Sequence, residues 1–196
     1  MEKIIINDGW LIYDPHFYSA SESELVFEGL KQLPTWEQGT IKIFGKDHKT
    51  PRLESFHADK GLRYGYSGQR MRTHEFNDTL QSIRTKLCQE SGFQFNSVLC
   101  NLYRNGSDSN GWHADNEHEL GKDPIIASIS FGATRRFDLK HALSGEKFSL
   151  ELSHGSLLIM GGAIQHHWKH QIAKTKKVMH PRINLTFRLI THRSVD

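Results

Sequence analysis

The 196 residues carry 25 Lys and Arg against 22 Asp and Glu, with 37% apolar and 10% aromatic residues and a mean hydropathy of -0.56. This composition fits one globular unit that folds in water, and no apolar run approaches the roughly 18 residues of a membrane span. A net charge of +3 permits a polyanionic partner without requiring one.

Cys88 and Cys100 are too few for a disulfide framework, so reduced thiols are expected. The run from Met1 to Asn7 lacks the basic region, apolar core and cleavage site of a secretory leader. The expected location is therefore cytoplasmic for a bacterial source and nuclear for a eukaryotic one, not secreted and not at a membrane. With no repeat, low-complexity stretch or charged linker, a single domain over residues 1–196 is expected, with a monomer as the default.

In chain order, Ser21-Glu22-Ser23-Glu24 has the spacing of a capping box, with Ser21 at the cap and a short helix through Leu25 to Leu30. Ile41 to Gly45 and Leu62 to Gly68 have the aromatic content and glycine punctuation of strands and turns. Asn77 to Cys88 places Leu80, Ile83 and Leu87 at helical spacing. From about residue 95 the pattern is strands alone: Phe95 to Tyr103, Ile125 to Phe131, Arg136 to Lys140, Phe148 to Leu152, Ser156 to Met160, His166 to Ile172, and Ile183 to Ile190. Parallel units would need about a dozen residues of crossover between such strands, so an antiparallel double sheet of jelly-roll type is expected.

His113-Ala114-Asp115 can present two metal ligands on one face, because side chains alternate along a strand. With a second imidazole, such a set leaves about half of an octahedron open on iron(II), and it also serves hydrolytic zinc. The chain has 13 His, and His118, His141, His154, His166, His167 and His180 all lie downstream beside His170. Near the C-terminus, Arg182, Asn184, Thr186 and Arg188 alternate with Ile183, Leu185, Phe187 and Leu189, so one strand face is polar and cationic and the other packs into a core. Basic residues crowd Lys42 to Arg72 and again Lys169 to Arg182. Aromatic residues and glycines interleaved with the first group point toward nucleic acid.

Five stretches in a fixed order carry a resemblance: Asn101-Leu102-Tyr103-Arg104-Asn105-Gly106-Ser107-Asp108, Trp112-His113-Ala114-Asp115-Asn116-Glu117, Ala127-Ser128-Ile129-Ser130-Phe131-Gly132-Ala133, His154-Gly155-Ser156-Leu157-Leu158-Ile159-Met160, and Arg182 to Arg188. From about Ile41 to Ile190 the chain resembles the AlkB family of iron and 2-oxoglutarate-dependent nucleic acid dealkylases, most of all its compact DNA-repair members. The resemblance implies a mainly β fold with flanking helices around a double-stranded β-helix core. That core would span about 96–190, with helices and a nucleotide-recognition lid over about 1–95. It implies Fe(II), 2-oxoglutarate and O2 as cofactor and co-substrates, held through His113, Asp115 and His170. His170 is selected because the family's second histidine lies twelve residues before the first arginine of the final motif.

For the keto acid, the resemblance assigns Arg188 to the far carboxylate and Arg182 to the metal-proximal end, with Asn101 and Tyr103 adding hydrogen bonds and Asn184 lining the cavity. On the substrate side, Tyr66 aligns with a base-stacking aromatic, with Tyr64 beside it. Phe44 resembles an apolar wedge for the gap left by a flipped base. Arg52 lies in a turn expected to approach phosphate, Glu117 would face the edge of a cationic methylated base, and Arg135 would neighbour the open metal face or contact phosphate. Leu53 and Asn116 depart from the family pattern.

The implied activity is oxidative demethylation of 1-methyladenine and 3-methylcytosine in DNA, single-stranded or duplex with a flipped base, releasing formaldehyde, succinate and carbon dioxide. RNA demethylation or protein hydroxylation by the same core is the alternative. A non-catalytic lesion-binding protein is the second.

Overall fold

The computed structural model describes residues 2–43, 45–62, 65–66 and 69–191, with backbone alone at 42–43, 65–66 and 69–70. The N-terminal half contains β1 (Glu2–Ile6), β2 (Gly9–Asp14), α1 (Ala20–Lys31), β3 (Thr40–Ile43), β4 (Lys46–Lys49), β5 (Leu53–Ala58), β6 (Gly65–Tyr66), β7 (Gln69–Arg70), β8 (Thr73–His74) and α2 (Asp78–Ser91). It continues through β9 (Ser97–Tyr103), β10 (Asn110–His113), a 3-10 turn (His118–Leu120), β11 (Ile126–Gly132), β12 (Arg135–His141) and β13 (Lys147–Leu152). The last elements are β14 (Ser156–Gly162), α3 (Ile164–His167), β15 (Trp168–Ile172) and β16 (Arg182–Arg188).

The larger sheet runs β1-β2-β14-β11-β16-β9-β5-β8 and the smaller β10-β15-β12-β13, while β3-β4 and β6-β7 form separate hairpins. Strand alternation divides the large sheet into two faces. Val98, Cys100, Ile129, Phe131, Leu185 and Phe187 pack against Phe27 and Leu30 of α1 and Leu80, Ile83 and Leu87 of α2. The opposite face meets the smaller sheet, where Leu99, Leu158 and Met160 join Phe137, Leu139 and Trp168 in a second core. The expected jelly-roll architecture with helices on one side is therefore present: helices, large sheet, small sheet. The polar positions of β9, β11 and β16 also face the space between the sheets, and this is where the site forms.

Several local expectations are corrected. Ser19, not Ser21, caps α1. Its hydroxyl accepts from the Glu22 N–H, and the Glu22 carboxylate accepts from the Ser19 N–H, closing the box two residues earlier. Starting there leaves Ser23 fully buried and turns Phe27 and Leu30 onto the sheet. The expected strand from His166 begins at Trp168, because the His166 and His167 amides donate to Ala163 O in a helical turn.

The hairpin β1-β2 is an addition to the elements expected from pattern. Asn7 and Asp8 form its two-residue turn, with Asp8 at φ 57°, and its tip is fastened to the smaller sheet. Trp168 Nε1 donates to Asn7 O at 2.8 Å, and His141 Nε2 lies 2.9 Å from Asp8 Oδ2. Because β1, β2, β5 and β8 all belong to the large sheet, the expected division near residue 95 does not follow the sheet.

Candidate metal centre and keto-acid pocket

His113 closes β10 and His170 sits in β15 as its direct Cα partner, so antiparallel pairing, with a register shift between Asn110 and His113, brings the two imidazoles to a 4.2 Å ring separation. Asp115 comes from the loop after β10 and not from the strand, which corrects the period-two argument for His113 and Asp115. What aims that loop is Gln165 on α3, whose buried Oε1 accepts the Asp115 N–H at 2.9 Å. The donor atoms of His113, Asp115 and His170 all lie within 4.8 Å of one another.

Hydrogen bonds select which atoms would face an ion. His113 Nδ1 sits 2.7 Å from Gly111 O, a carbonyl that can only accept, so the proton is on Nδ1 and the lone pair on Nε2. Arg188 Nη2 donates to Asp115 Oδ1 at 2.9 Å and leaves Oδ2 for a metal. That Oδ2 is 3.9 Å from His170 Nε2, too long for a hydrogen bond and a separation that ligands with bonds of about 2.1 Å can keep across one ion.

Protonation states agree. Burial pushes His170 down to about 3, with neighbouring His113 acting in the same direction, so its imidazole is neutral. Burial alone would raise the Asp115 carboxyl, but the Arg188 guanidinium beside it holds it well below the usual carboxylate range. Two neutral imidazoles and one carboxylate therefore fit a divalent metal. His166, near Asp123, and His167, beside His141, lie away from this group, and His154 accepts the Gly132 N–H at 2.8 Å.

The cavity continues from the metal group between the sheets, lined by Asn101 and Tyr103 of β9, Ser128 of β11, and Asn184, Thr186 and Arg188 of β16. Behind this wall lies Arg182, 1% exposed, with its guanidinium over the ring of the cavity-lining Tyr103 at 5.2 Å. Arg182 Nη2 donates to Ser130 Oγ and Asn184 Oδ1, at 2.9 and 2.8 Å. Its Nε and Nη1 have no hydrogen-bond partner among the described residues. Burial pulls this guanidinium down to about 10, which leaves it charged at neutral pH.

A buried cation with unused donors is costly unless an anion completes it, and a carboxylate is the group whose geometry matches. The placement of the two arginines is the reverse of what the expected roles require: Arg188 bonds the candidate metal ligand Asp115, and Arg182 stands at the other end of β16. Asn101, Tyr103 and Asn184 line the cavity.

The substrate-side expectations fare differently. Phe44 and Tyr64 lie outside the described residues, and Tyr66 is described only as backbone in β6. Glu117 is half-buried, two residues beyond Asp115, at the start of the 3-10 turn.

Arg52 is turned inward and not toward phosphate. It is 4% exposed, with Nη2 on Glu54 Oε1 at 2.6 Å, Nε on Asn101 Oδ1 at 2.8 Å and Nη1 on Asn110 Oδ1 at 3.2 Å. Arg135 is likewise buried and donates to the carbonyls of Asn105, Asp108 and Ala173, which explains it as a tie between loops and not as a neighbour of the metal face. Arg52→Met is therefore expected to act on stability, because it strands the buried Glu54 carboxylate at a cost of about 3–5 kcal/mol. Thermal unfolding should drop by roughly 10 °C; an unchanged midpoint with weakened nucleic acid binding would return Arg52 to the substrate side.

Sequence reasoning gives no role to Gln165, Ser128 or Ser130, which position Asp115, Asn184 and Arg182, nor to Asn110, whose Nδ2 lies 3.1 Å from the same His113 Nε2 that would face an ion. Only the serines were signalled, as polar residues alternating with apolar ones in β11.

The three metal ligands alone would suit hydrolysis as well as oxidation. A buried arginine behind the cavity-lining Asn184 and Tyr103 separates the two, since it would suit a diacid that reaches the metal, as in an oxygenase that uses a keto acid. A family model agrees over residues 11–188: the chain belongs to the 2OG-Fe(II) oxygenase superfamily. Fe(II), 2-oxoglutarate and O2 follow as cofactor and co-substrates from that membership and fit the donors present.

Within the superfamily the similarity is to AlkB homologues. The chain is 38% identical over 186 residues to the human alpha-ketoglutarate-dependent dioxygenase alkB homolog 3, covering 90% of this chain and 64% of that protein. It is 37% identical over 184 residues to the mouse DNA oxidative demethylase ALKBH2, covering 88% and 77%. Among solved structures, OsALKBH1 superposes with a TM-score of 0.64 at 16% identity over 94% of this chain and 100% of that one. A 2OG-Fe(II) oxygenase family oxidoreductase from Burkholderia pseudomallei does so at 0.61 and 14%, covering 93% and 86%. At such identities the structures speak for the fold alone. The chain spans just under two thirds of the length of the human relative.

Proposed function

We propose that this protein oxidatively removes N-linked methyl groups from bases in DNA, with 1-methyladenine and 3-methylcytosine as the lesions. The observation that carries the reading is a cavity that holds His113, Asp115 and His170, with the buried Arg182 set against its Asn184 and Tyr103 wall. Its support for DNA is the similarity to a relative named a DNA oxidative demethylase.

Iron with 2-oxoglutarate and oxygen supplies the oxidising power for a C–H bond. The chain supplies position. Arg182 and Tyr103 hold the distal carboxylate of the keto acid. Arg188 fixes the Asp115 carboxylate and keeps it ionised, and Gln165 fixes its loop. Asn184 and Ser128 orient the cavity wall through their own 2.9 Å bond. A methylated base reaches the metal by leaving its stack, in a single strand or by flipping from a duplex, with the protein acting as a monomer. Phe44, Tyr64 and Tyr66 are the aromatic groups of the segment that would grip it, and Glu117 would favour the cationic methylated base over its neutral parent.

The test is formaldehyde and succinate release from oligonucleotides bearing either lesion, as single-stranded DNA, duplex DNA and RNA, with and without 2-oxoglutarate. Equimolar release from DNA that requires 2-oxoglutarate is expected. Release from RNA alone would move the substrate class. Oxidation of peptide only, by iron-loaded protein, would refute the assignment.

A further inference from the structure

We propose that the outer face of the smaller sheet is a second, non-catalytic contact for the nucleic acid strand, made by the row Lys169, Lys140 and Lys147; this rests on the nucleic acid reading above. Lys140 on β12 is the direct Cα partner of Lys169 on β15 and of Lys147 on β13. Their neighbours Leu139, His141, Trp168 and His170 are buried, so alternation turns all three lysines outward, and all three are exposed.

Like charges placed directly opposite one another destabilise a sheet. The acid next to the row does not relieve it, because Asp138 Oδ1 is engaged by Arg136 at 2.6 Å and Ser149 at 2.8 Å, and its Oδ2 by Gln171 at 3.3 Å. No ion pair joins any of the three lysines to a partner among the described residues. Lys147 has an ordinary reason for its place, since β13 is an edge strand and lysine discourages edge-to-edge pairing. Lys140 and Lys169 stand on interior strands, where that reason does not apply.

At about 4.8 Å between strands the row spans about 10 Å, a length over which a polymer presents successive phosphates and gains affinity by releasing counterions. An acidic peptide would meet the same charge, but a phosphodiester polymer is already the proposed substrate. Lys169 immediately precedes the ligand His170 and points to the opposite face, so the row lies behind the metal group across one sheet. A strand with its methylated base in the cavity reaches the row only by passing around the sheet, which a long strand can do and a trinucleotide cannot.

The experiment compares the iron-loaded protein with K140E/K147E/K169E and with the corresponding triple glutamine variant. Fluorescence anisotropy follows a single-stranded oligonucleotide of about 20 nucleotides across a salt series, where each phosphate left without its lysine flattens the log–log slope by about 0.7. Both variants should bind several-fold more weakly at low salt with a slope flatter by about 2. The glutamine variant should unfold at or above the unaltered midpoint, because the repulsion is relieved, whereas the glutamate variant keeps a row of like charges. Equal slopes for the three proteins would overturn the proposal. So would loss of polyglutamate binding with DNA binding intact, which would make the partner a peptide. Formaldehyde release from a methylated trinucleotide reads the metal site separately: its absence in the unaltered enzyme would refute the demethylase reading, not the lysine row.

Discussion

Asp115→Ala is expected to remove iron binding and at the same time to lower thermal stability by roughly 10 °C. The two losses have different causes. As a ligand, Asp115 supplies the one carboxylate of the metal group, and without it formaldehyde release should fall well beyond the ~10–100-fold that loss of an outer partner typically costs. As a counterion, it accepts a 2.9 Å hydrogen bond from Arg188, which is 3% exposed. Deleting one member of a buried pair leaves the other charge uncompensated, at about 3–5 kcal/mol.

The double variant Asp115→Ala with Arg188→Met separates these effects. Removing both charges should recover most of the lost stability, since a buried pair is often worth no more than apolar groups of similar size. It should recover none of the iron binding. Calorimetry with Fe(II) under argon and thermal unfolding measure the two independently. If Asp115→Ala unfolds at the unaltered temperature and still binds iron tightly, Asp115 is neither ligand nor counterion, and the metal centre is misassigned.

How much of this arrangement is legible in the sequence depends on whether a residue's role is fixed by local pattern or by distant packing. The alternation of Arg182 to Arg188 marks a strand with one polar face, and β16 has that face turned to the cavity. Pattern says nothing about which arginine stands at the metal. That is decided by the loop after β10, which carries Asp115 back to Arg188 and is held by a glutamine fifty residues away.

Arg52 shows the same limit. In a basic stretch it has the look of a surface cation, and only the approach of β5 to β9 shows that Glu54 and Asn101 enclose it. At α1, two Ser-x-x-Glu frames overlap, beginning at Ser19 and at Ser21. Local chemistry fits both, and the burial of Ser23, Phe27 and Leu30 selects the first. The β1-β2 hairpin does carry a signal, the Asn-Asp-Gly run at residues 7–9, but its position beside β14 is a matter of sheet order.

The second large effect concerns the buried arginine at the other end of β16. Arg182→Met should leave iron binding intact and raise the 2-oxoglutarate requirement by at least about 100-fold, consistent with loss of a buried charge-assisted pair worth ~3 kcal/mol or more. Stability supplies the discriminating measurement. Without co-substrate, Arg182 is a buried cation held only by neutral partners, Ser130 Oγ, Asn184 Oδ1 and the Tyr103 ring. Replacing it with an apolar side chain of similar length should leave the unfolding temperature unchanged or raise it.

A ligand that binds only the folded state adds about 2.7 kcal/mol at a hundred times its dissociation constant, a shift of roughly 5–10 °C for a chain of this size. The iron-loaded unaltered protein should show that shift with 2-oxoglutarate, and Arg182→Met should lose it. Arg188→Met should behave in the opposite sense before any ligand is added, because it strands Asp115 and lowers the starting temperature. If Arg182→Met keeps the full 2-oxoglutarate shift, the distal carboxylate is held elsewhere, and the assignment of the two ends given by the geometry is wrong.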